Sequence, residues 1–262
     1  GRTGFAHLFE HLMFQGSVNY DEEYFKPLEP IGARVNGTTS TDRTNYYEQV
    51  PSEYLERVLW LESDRMENLL GALTQAKLDN QRDVVKNERR QNYEDRPYGL
   101  AFKHLANNLF PKGHPYHHLP IGSHADLTAA SLDDVRAFFK RYYCPANAII
   151  TITGDFKSKE TLRLVKRYFG EIAPGTRAPK PRAQPVKLTT TTHLRDSDEV
   201  RLPRIYLSWP TPALYAEGDA AMDILASVLS TGKASRLYHR LVYSRRVAKD
   251  VAAYQVSRPL AS

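Results

Sequence analysis

Two histidines and a glutamate near the start of the chain have the types and spacing of a metal-dependent hydrolytic site. His7 and His11 are four residues apart, so a helix would place them one turn apart on the same face. Two neutral imidazoles at this spacing can bind one metal ion together, and Glu10 directly precedes the second histidine. This H-x-x-E-H order is the inverse of the usual zinc-protease motif. The pattern predicts a zinc-dependent peptidase.

The periodicity of the neighbouring residues predicts a helix that carries these side chains. At about 100° per residue, one side of this helix is apolar and comprises Phe5, Leu8, Phe9, Leu12 and Met13. The opposite side carries His7, Glu10, His11 and Phe14. We therefore expect the apolar side to pack in a core and the histidine side to face a cleft.

A third ligand must come from another element, because a catalytic zinc site has three protein ligands and one open position for water. The helical stretch 76–92 contains the best candidate, Glu88, which follows Val84 and Val85 by about one helical turn. Glu88 falls near one stripe of this helix together with Leu78, Gln81, Val85 and Asn92. The stretch alone leaves open the alternative that Glu88 is an ordinary solvated glutamate.

With these residues the chain resembles the pitrilysin/insulinase family of metallopeptidases, and most closely its bacterial members, which are related to mitochondrial processing peptidase. The resemblance covers nearly the whole chain, with matching motifs at residues 1–16, 36–40, 87–91, 96–99, 122–123, 142–147, 154–156 and 232–238. In this family the third zinc ligand is a glutamate 77 positions after the second histidine, which here is Glu88. The resemblance implies one Zn²⁺ per chain, bound by His7, His11 and Glu88.

The resemblance also implies roles for two residues that do not bind the metal. Glu10 is expected to be the catalytic base, which takes a proton from a zinc-bound water and later gives it to the leaving amine. Gln81 stands where many family members have a second glutamate. It precedes Glu88 by two helical turns, about 10 Å along the axis, so we expect it to support the ligands rather than bind zinc.

The segment 32–47 predicts two short strands joined by polar turns. A strand beside a metal can pair with the backbone of an extended peptide. By resemblance, Asn36, Gly37 and Thr38 are the substrate-binding residues of this segment. A plain sheet strand with solvated threonines is the alternative.

Composition argues against several other classes of protein. The 262 residues are 41% hydrophobic, enough for one large core or two smaller ones. The formal net charge of +6 is dispersed, so we expect no nucleic-acid partner. No run of about 20 apolar residues predicts a membrane span. Cys144 is the single cysteine and is predicted to be a buried thiol. The histidine-rich run 113–118 lies between prolines and predicts a structural loop rather than a second metal site.

We predict an α+β fold of two consecutive α/β units, each a mainly antiparallel sheet packed against helices, as in one half of a pitrilysin-like peptidase. The predicted domains are a zinc-binding domain, a proline-rich linker and a second domain without metal, at residues 1–173, 174–185 and 186–262. By comparison with the family, the first domain is expected to lack N-terminal strands and the second to be truncated.

Several individual elements are also predicted. Strands are expected at 148–153, 205–209 and 251–256. Helices are expected near 53–70, 219–229 and 235–243, together with one that begins at the capping pair Ser131 and Asp134.

The predicted function is that of a zinc-dependent endopeptidase acting on extended peptides or unfolded polypeptides. Family members close a chamber with a second homologous half, in the same chain or in a partner subunit, so this chain alone is expected to be weak or inactive. The resemblance slightly favours the bacterial periplasm or cell envelope over the cytoplasm.

Two alternatives remain open. The first is a non-catalytic structural subunit of a pitrilysin-like complex, although such relatives typically lack the zinc motif. The second is a metal-dependent esterase or amidase, against which the predicted peptide-binding strand argues.

Overall fold

The computed structural model describes residues 1–183 and 185–262, which divide into two compact units. The first unit comprises Gly1–Leu100 and His118–Lys180, and the second comprises Ala101–His117 and Pro181–Ser262. The segment Ala101–His117 therefore belongs to the second unit although it precedes part of the first in sequence. The domain boundaries proposed from the sequence, at residues 173 and 185, stay a prediction.

The α+β class is confirmed, with a helix-rich chain and one small antiparallel sheet. In chain order the elements are α1 (Phe5–Leu12), β1 (Arg34–Thr39), β2 (Thr44–Gln49), α2 (Leu55–Ala72), α3 (Gln75–Arg89), α4 (Ala101–Leu109), α5 (His124–Ala129), α6 (Leu132–Tyr142), α7 (Ser158–Phe169) and α8 (Asp219–Ser230). A π-helical segment, Tyr238–Ser244, follows α8. Helices α4 and α8 belong to the second unit, and the other numbered elements belong to the first.

The strands β1 and β2 form an antiparallel hairpin, which confirms the strand pair predicted in segment 32–47. Arg34 lies opposite Gln49 at one end, and Thr39 lies opposite Thr44 beside the turn. Among the described residues β1 pairs with β2 alone. The other edge of β1 is therefore open, and an open edge can accept an extended peptide as an additional strand.

The helical core of the first unit packs α1 against α3, α5 and α6. Its buried residues are Phe5, Leu8, Phe9, Leu12, Met13, Leu69, Leu73, Leu78, Val85, Ile121, Leu127, Ala130, Val135 and Phe139. The predicted apolar side of α1 is thus buried, whereas the histidine side is only partly buried. Each fully buried side chain of this size contributes about 1.5–3 kcal/mol. The helical core therefore determines which face α1 turns toward α3.

A second core, the hairpin core, packs the chain after α1 and the hairpin against α2. Its buried residues are Phe14, Tyr24, Leu28, Val58 and Leu61. Phe14 lies just beyond the end of α1 and belongs to this core rather than to the helical core. The two cores together hold α1 between α3 and the hairpin.

Helix α1 begins where two backbone segments approach closely. Gly4 immediately precedes the helix with a φ of 87°, a conformation that residues with a side chain rarely adopt. A Cβ atom on Gly4 would lie 2.8 Å from the carbonyl oxygen of Ile121. Glycine is therefore required at this position, which fixes the start of the helix.

Helix α3 is regular up to Arg89 and continues as a π-helical turn, Arg90–Glu94. It begins at Thr74, whose side-chain oxygen accepts a hydrogen bond from the backbone N–H of Lys77 at 3.3 Å. The helix predicted at 76–92 is thus observed with a change of helical type near its end. Such π-helical turns are rare and are frequent at functional sites, and this one directly follows the residues around Glu88.

The capping pair predicted for α6 is confirmed. The Oγ atom of Ser131 accepts a hydrogen bond from the backbone N–H of Asp134 at 3.1 Å, and a carboxylate oxygen of Asp134 accepts one from the backbone N–H of Ser131 at 3.3 Å. This reciprocal pair satisfies two backbone donors that the first turn leaves without partners.

The strands predicted at 148–153, 205–209 and 251–256 are wrong. These segments have no strand pairing in the structure. Among the described residues no neighbouring strand completes a ladder for them, so their β-forming side chains remain largely outside the cores. Ile149 is 91% exposed and Ile205 is 85% exposed.

The second unit has a small core of its own. Its buried residues are Phe110, Tyr116 and Ala261. Helix α8 leaves much of its apolar surface exposed, including Ile224, Leu225 and Val228. Across the described part of the chain, no helix combines the length and the apolar character that a membrane span requires.

Candidate metal centre

Helices α1 and α3 bring His7, His11 and Glu88 together, and we refer to these three residues as the metal trio. One ligand atom from each lies within 4.8 Å of the others. The Nε2 atom of His7 is 3.5 Å from Oε2 of Glu88, and the Nε2 atom of His11 is 3.3 Å from the same oxygen. In residues 1–183 and 185–262, no other group of three histidine, cysteine or acidic residues converges in this way.

The two separations between the histidines and Glu88 fit a tetrahedral zinc ion. Nitrogen and oxygen ligands at about 2.0–2.1 Å from zinc lie about 3.3–3.4 Å from one another in a tetrahedron. The observed 3.3 and 3.5 Å agree with this spacing. Two imidazoles and one carboxylate are also the ligand set of a catalytic zinc site with an open fourth position. The residues present therefore fit Zn²⁺.

The surroundings shift His7 and Glu88 toward the protonation states that bind a metal. Burial lowers the pKa of His7, and His11 lowers it further, although Glu88 and Glu10 oppose these effects. The hydrogen bond from His11 lowers the pKa of Glu88, and the proximity of His7 adds to this, although burial opposes it. Metal binding requires neutral imidazoles and an ionised carboxylate, so both shifts favour it.

Glu10 lies on the same side of α1 as the two histidines, and the hairpin fixes its carboxylate. The Oγ1 atom of Thr39 donates a hydrogen bond to Oε2 of Glu10 at 2.5 Å. Thr39 was not among the residues predicted for the site. The alternation of side chains along a strand was the available signal, because Thr39 is two residues after Gly37 and faces the same side of β1.

Gly37 lets the backbone of β1 approach Glu10. A Cβ atom on Gly37 would lie 2.9 Å from Cγ of Glu10 and 3.2 Å from the ring of Phe14. Any larger residue would therefore move the strand or the carboxylate. The flanking residues Asn36 and Thr38 are exposed on the other face of β1. The backbone N–H of Gly37 donates to Oδ1 of Asn36 at 2.8 Å.

Gln81 is buried on α3 two turns before Glu88. Its expected role in supporting the metal ligands stays a prediction.

The histidine-rich run 113–118 serves the local fold. Nδ1 of His114 accepts a hydrogen bond from the backbone N–H of Tyr116 at 3.0 Å, and Nδ1 of His117 lies 2.7 Å from the carbonyl oxygen of Phe110. None of these histidines joins a metal-like cluster with other described residues. Cys144 is a buried free thiol, as predicted.

Two protein-family profiles match the chain. The family described as Insulinase (Peptidase family M16) matches residues 2–119, a range that contains the metal trio and the hairpin. The family described as Peptidase M16 inactive domain matches residues 129–260.

The chain is also similar to bacterial zinc proteases. It is 31% identical to the zinc protease PqqE of Helicobacter pylori over 98% of this chain and 58% of that protein. It superposes on the crystal structure of a protease from Helicobacter pylori with a TM-score of 0.79 and 27% identity, covering 100% of this chain and 63% of that one. A TM-score of 0.62 and 25% identity relate it to the periplasmic protease PqqL of Escherichia coli, covering 72% and 21% of the two chains. The chain spans less than two thirds of the length of these relatives.

Proposed function

Because the chain belongs to the insulinase family of peptidases, M16, we propose that its first unit provides the zinc-binding active site of an endopeptidase. The observation that carries the proposal is the convergence of His7, His11 and Glu88, in which both histidine Nε2 atoms lie 3.3–3.5 Å from one carboxylate oxygen. These three residues hold one Zn²⁺. When bound, zinc polarises the scissile carbonyl and makes a water molecule more acidic.

Glu10 acts as the general base of this site. It accepts a proton from the attacking water and later delivers it to the leaving amine. The hydrogen bond from Thr39 holds one carboxylate oxygen of Glu10, which leaves the other oxygen available for proton transfer. This fixed orientation supports catalysis because a base acts efficiently only within hydrogen-bond reach of the proton that it removes.

The open edge of β1 binds the substrate. Only an extended polypeptide can pair with a strand edge through its backbone, so the substrates are extended peptides or unfolded polypeptides. Asn36, Gly37 and Thr38 lie along this edge, and the absence of a side chain on Gly37 lets the peptide backbone and Glu10 approach each other.

The complete enzyme requires a second homologous half, in the same chain or in a partner subunit. This part of the proposal is supported by the greater length of the relatives, of which the chain covers 58% in PqqE. An envelope location is proposed from the likeness to the periplasmic protease PqqL.

A non-catalytic subunit is the second candidate, because residues 129–260 match a family described as inactive. The metal trio and Glu10 lie outside that range and inside the match to the insulinase family. They therefore favour the catalytic proposal.

The proposal is tested with the Glu10→Gln variant. Zinc-loaded wild type and variant are compared on an unstructured fluorogenic peptide under single-turnover conditions, which detect slow cleavage. The loss of a general base is expected to reduce the rate at least about 10²-fold, while zinc remains bound. Glu22→Gln is the matched control, because Glu22 is exposed and pairs with Lys26 on the surface. Equal rates for wild type and Glu10→Gln would contradict the proposed role of Glu10.

A further inference from the structure

Helix α2 carries an arginine whose side chain is buried against the hairpin and the chain that follows α1. Arg65 is 1% exposed although it carries a permanent charge. Its Nε atom donates to Oε2 of Glu62 at 3.1 Å, its Nη2 atom also contacts Glu62, and Nη2 lies 3.4 Å from Oε1 of Glu48. Removal of a guanidinium from water is costly, so these contacts must compensate for its burial.

Aromatic rings surround the same guanidinium. Its central carbon lies 4.2 Å from the ring centre of Tyr24, 4.4 Å from that of Tyr46 and 5.5 Å from that of Phe14. Such distances allow favourable cation–π attraction. Nη1 of Arg65 has no hydrogen-bond partner among the described residues. Cation–π attraction to the rings is therefore the main interaction that offsets the removal of this nitrogen from water. We refer to Arg65, Glu62, Glu48, Tyr24 and Tyr46 as the arginine cluster.

The arginine cluster reaches the two elements that meet at Glu10. Tyr46 lies directly opposite Gly37 in the hairpin, and Gly37 is the residue whose backbone approaches Glu10. Phe14 follows Glu10 by four residues, and its ring lies 5.7 Å from that of Tyr46. The contacts of Arg65 with Tyr46 and Phe14 therefore join the strand and the helix directly behind the carboxylate.

We propose that Arg65 is a positioning residue of the peptidase site, which holds the hairpin against the chain after α1 and thereby sets the position of the Glu10 carboxylate and of the β1 edge. This inference rests on the proposed function. Arg65 contacts neither substrate nor metal, and it acts through Tyr46 and Phe14. A displacement of about 1 Å in such a site can reduce the rate about 10²-fold.

The test compares Arg65→Lys and Arg65→Met with two controls on the same helix. Lysine keeps the charge but loses the planar fork that stacks between the rings, so this variant remains informative if Arg65→Met does not fold. Arg57→Met removes an exposed arginine of α2. Leu69→Ala removes a buried side chain from the helical core one turn after Arg65, and it controls for loss of stability without change to the arginine cluster.

Three quantities are measured on each zinc-loaded variant: bound zinc, amide hydrogen exchange of β1 and β2 relative to α1, and kcat with KM for one peptide. For Arg65→Lys we expect one zinc per chain, faster exchange in the hairpin than in α1, and kcat lower by about 10- to 100-fold. Arg57→Met is expected to match wild type. Leu69→Ala is expected to lose thermal stability but to reduce kcat less than Arg65→Lys does at the same loss of stability.

If kcat and hairpin exchange of the Arg65 variants change no more than those of Leu69→Ala at equal loss of stability, Arg65 is a structural residue and the inference is overturned. Failure of the proposed function would give a different result from failure of this inference. If zinc-loaded wild type and Glu10→Gln cleave the peptide equally, the catalytic proposal fails, while the exchange comparison still decides whether Arg65 holds the hairpin.

Discussion

The metal trio and the arginine cluster both gather charged side chains in the first unit, but they differ in how these side chains are satisfied. In the arginine cluster, one buried cation faces Glu62, Glu48 and aromatic rings. In the metal trio, the side chains of His7, His11 and Glu88 are 13, 24 and 33% exposed. Nδ1 of His7 is buried without a hydrogen-bond partner among the described residues.

This difference is what we expect between a cluster that stabilises the fold and a cluster proposed to bind a metal ion. The arginine cluster contains its own cation, so its charges are compensated within the protein. The metal trio presents two imidazole nitrogens and one carboxylate oxygen to a common point, and neutral imidazoles and carboxylates all offer lone pairs there. A cation is the ligand that fits such a convergence of acceptors, in agreement with the proposed zinc site.

The largest expected effect is a difference in how much each cluster contributes to the free energy of unfolding. Arg65→Met leaves the partly buried carboxylate of Glu62 and the carboxyl group of Glu48 without their cation, so the metal-free protein should lose about 3–5 kcal/mol of unfolding free energy. His11→Ala removes a partly exposed imidazole and should change it by less than about 1 kcal/mol. Urea unfolding of both variants in the presence of a chelator measures these values. Equal losses would remove the distinction between the clusters.

A somewhat smaller effect is expected from zinc itself. Zinc at 100 times its dissociation constant should stabilise the folded protein by about 2.7 kcal/mol, because it binds the native site preferentially. Glu88→Gln should lose this stabilisation. Glu62→Gln alters the arginine cluster and should keep the stabilisation by zinc, although this variant is less stable than wild type without zinc. Thermal unfolding with and without zinc provides the comparison, and a zinc effect that survives in Glu88→Gln would argue against the metal trio.

The third expected effect is a pH dependence within the arginine cluster. Burial raises the pKa of Glu48 to about 8, and the neighbouring Glu62 raises it as well, while Arg65 and Tyr24 lower it. The folded state thus binds this proton more tightly than the unfolded state, so the contribution of Glu48 to stability falls as pH rises from about 4.5 to about 8.

Glu48→Gln removes this ionisation and tests its sign. The stability of the variant relative to wild type should increase steadily between pH 5 and 8 and then remain level. Denaturant unfolding at several pH values in this range measures the difference. Glu62→Gln should give a shallower slope of the same sign, because Glu62 is one cause of the raised pKa of Glu48 and, with its own pKa lowered, stays ionised in both states over this range. A pH-independent difference for Glu48→Gln would contradict this account.

The sequence predicted the elements whose signals are local. The helix around His7 and the capping pair at Ser131 were recognised because their residues are at most a few positions apart. The hairpin was recognised for the same reason, since β1 and β2 are adjacent in the chain. The strands expected at 148–153 and 205–209 depended on distant pairing partners, which composition does not specify.

In the site, too, a residue that depends on distant contacts was not predicted from the sequence, and Arg65 is the example. It lies on the buried stripe of α2, four residues after Leu61 and four before Leu69. That spacing was the available signal, but a charged residue is usually assigned to the solvent side of a helix. Its burial depends on the hairpin carboxylate and on rings from three segments, which only the folded structure brings together. Glu88 was identified through its distance from His11 in the sequence of a known family, and not from its helix alone.

The measurement that tests the central claim most directly is the zinc content of purified protein by elemental analysis after dialysis against a defined excess of zinc. Wild type is predicted to retain one zinc per chain, whereas His7→Ala, His11→Ala and Glu88→Gln retain far less. The control His124→Ala alters a partly exposed histidine that pairs with Glu94 outside the metal trio, and it is predicted to retain one zinc. Full zinc content in any of the three trio variants would contradict the assignment of that residue as a ligand.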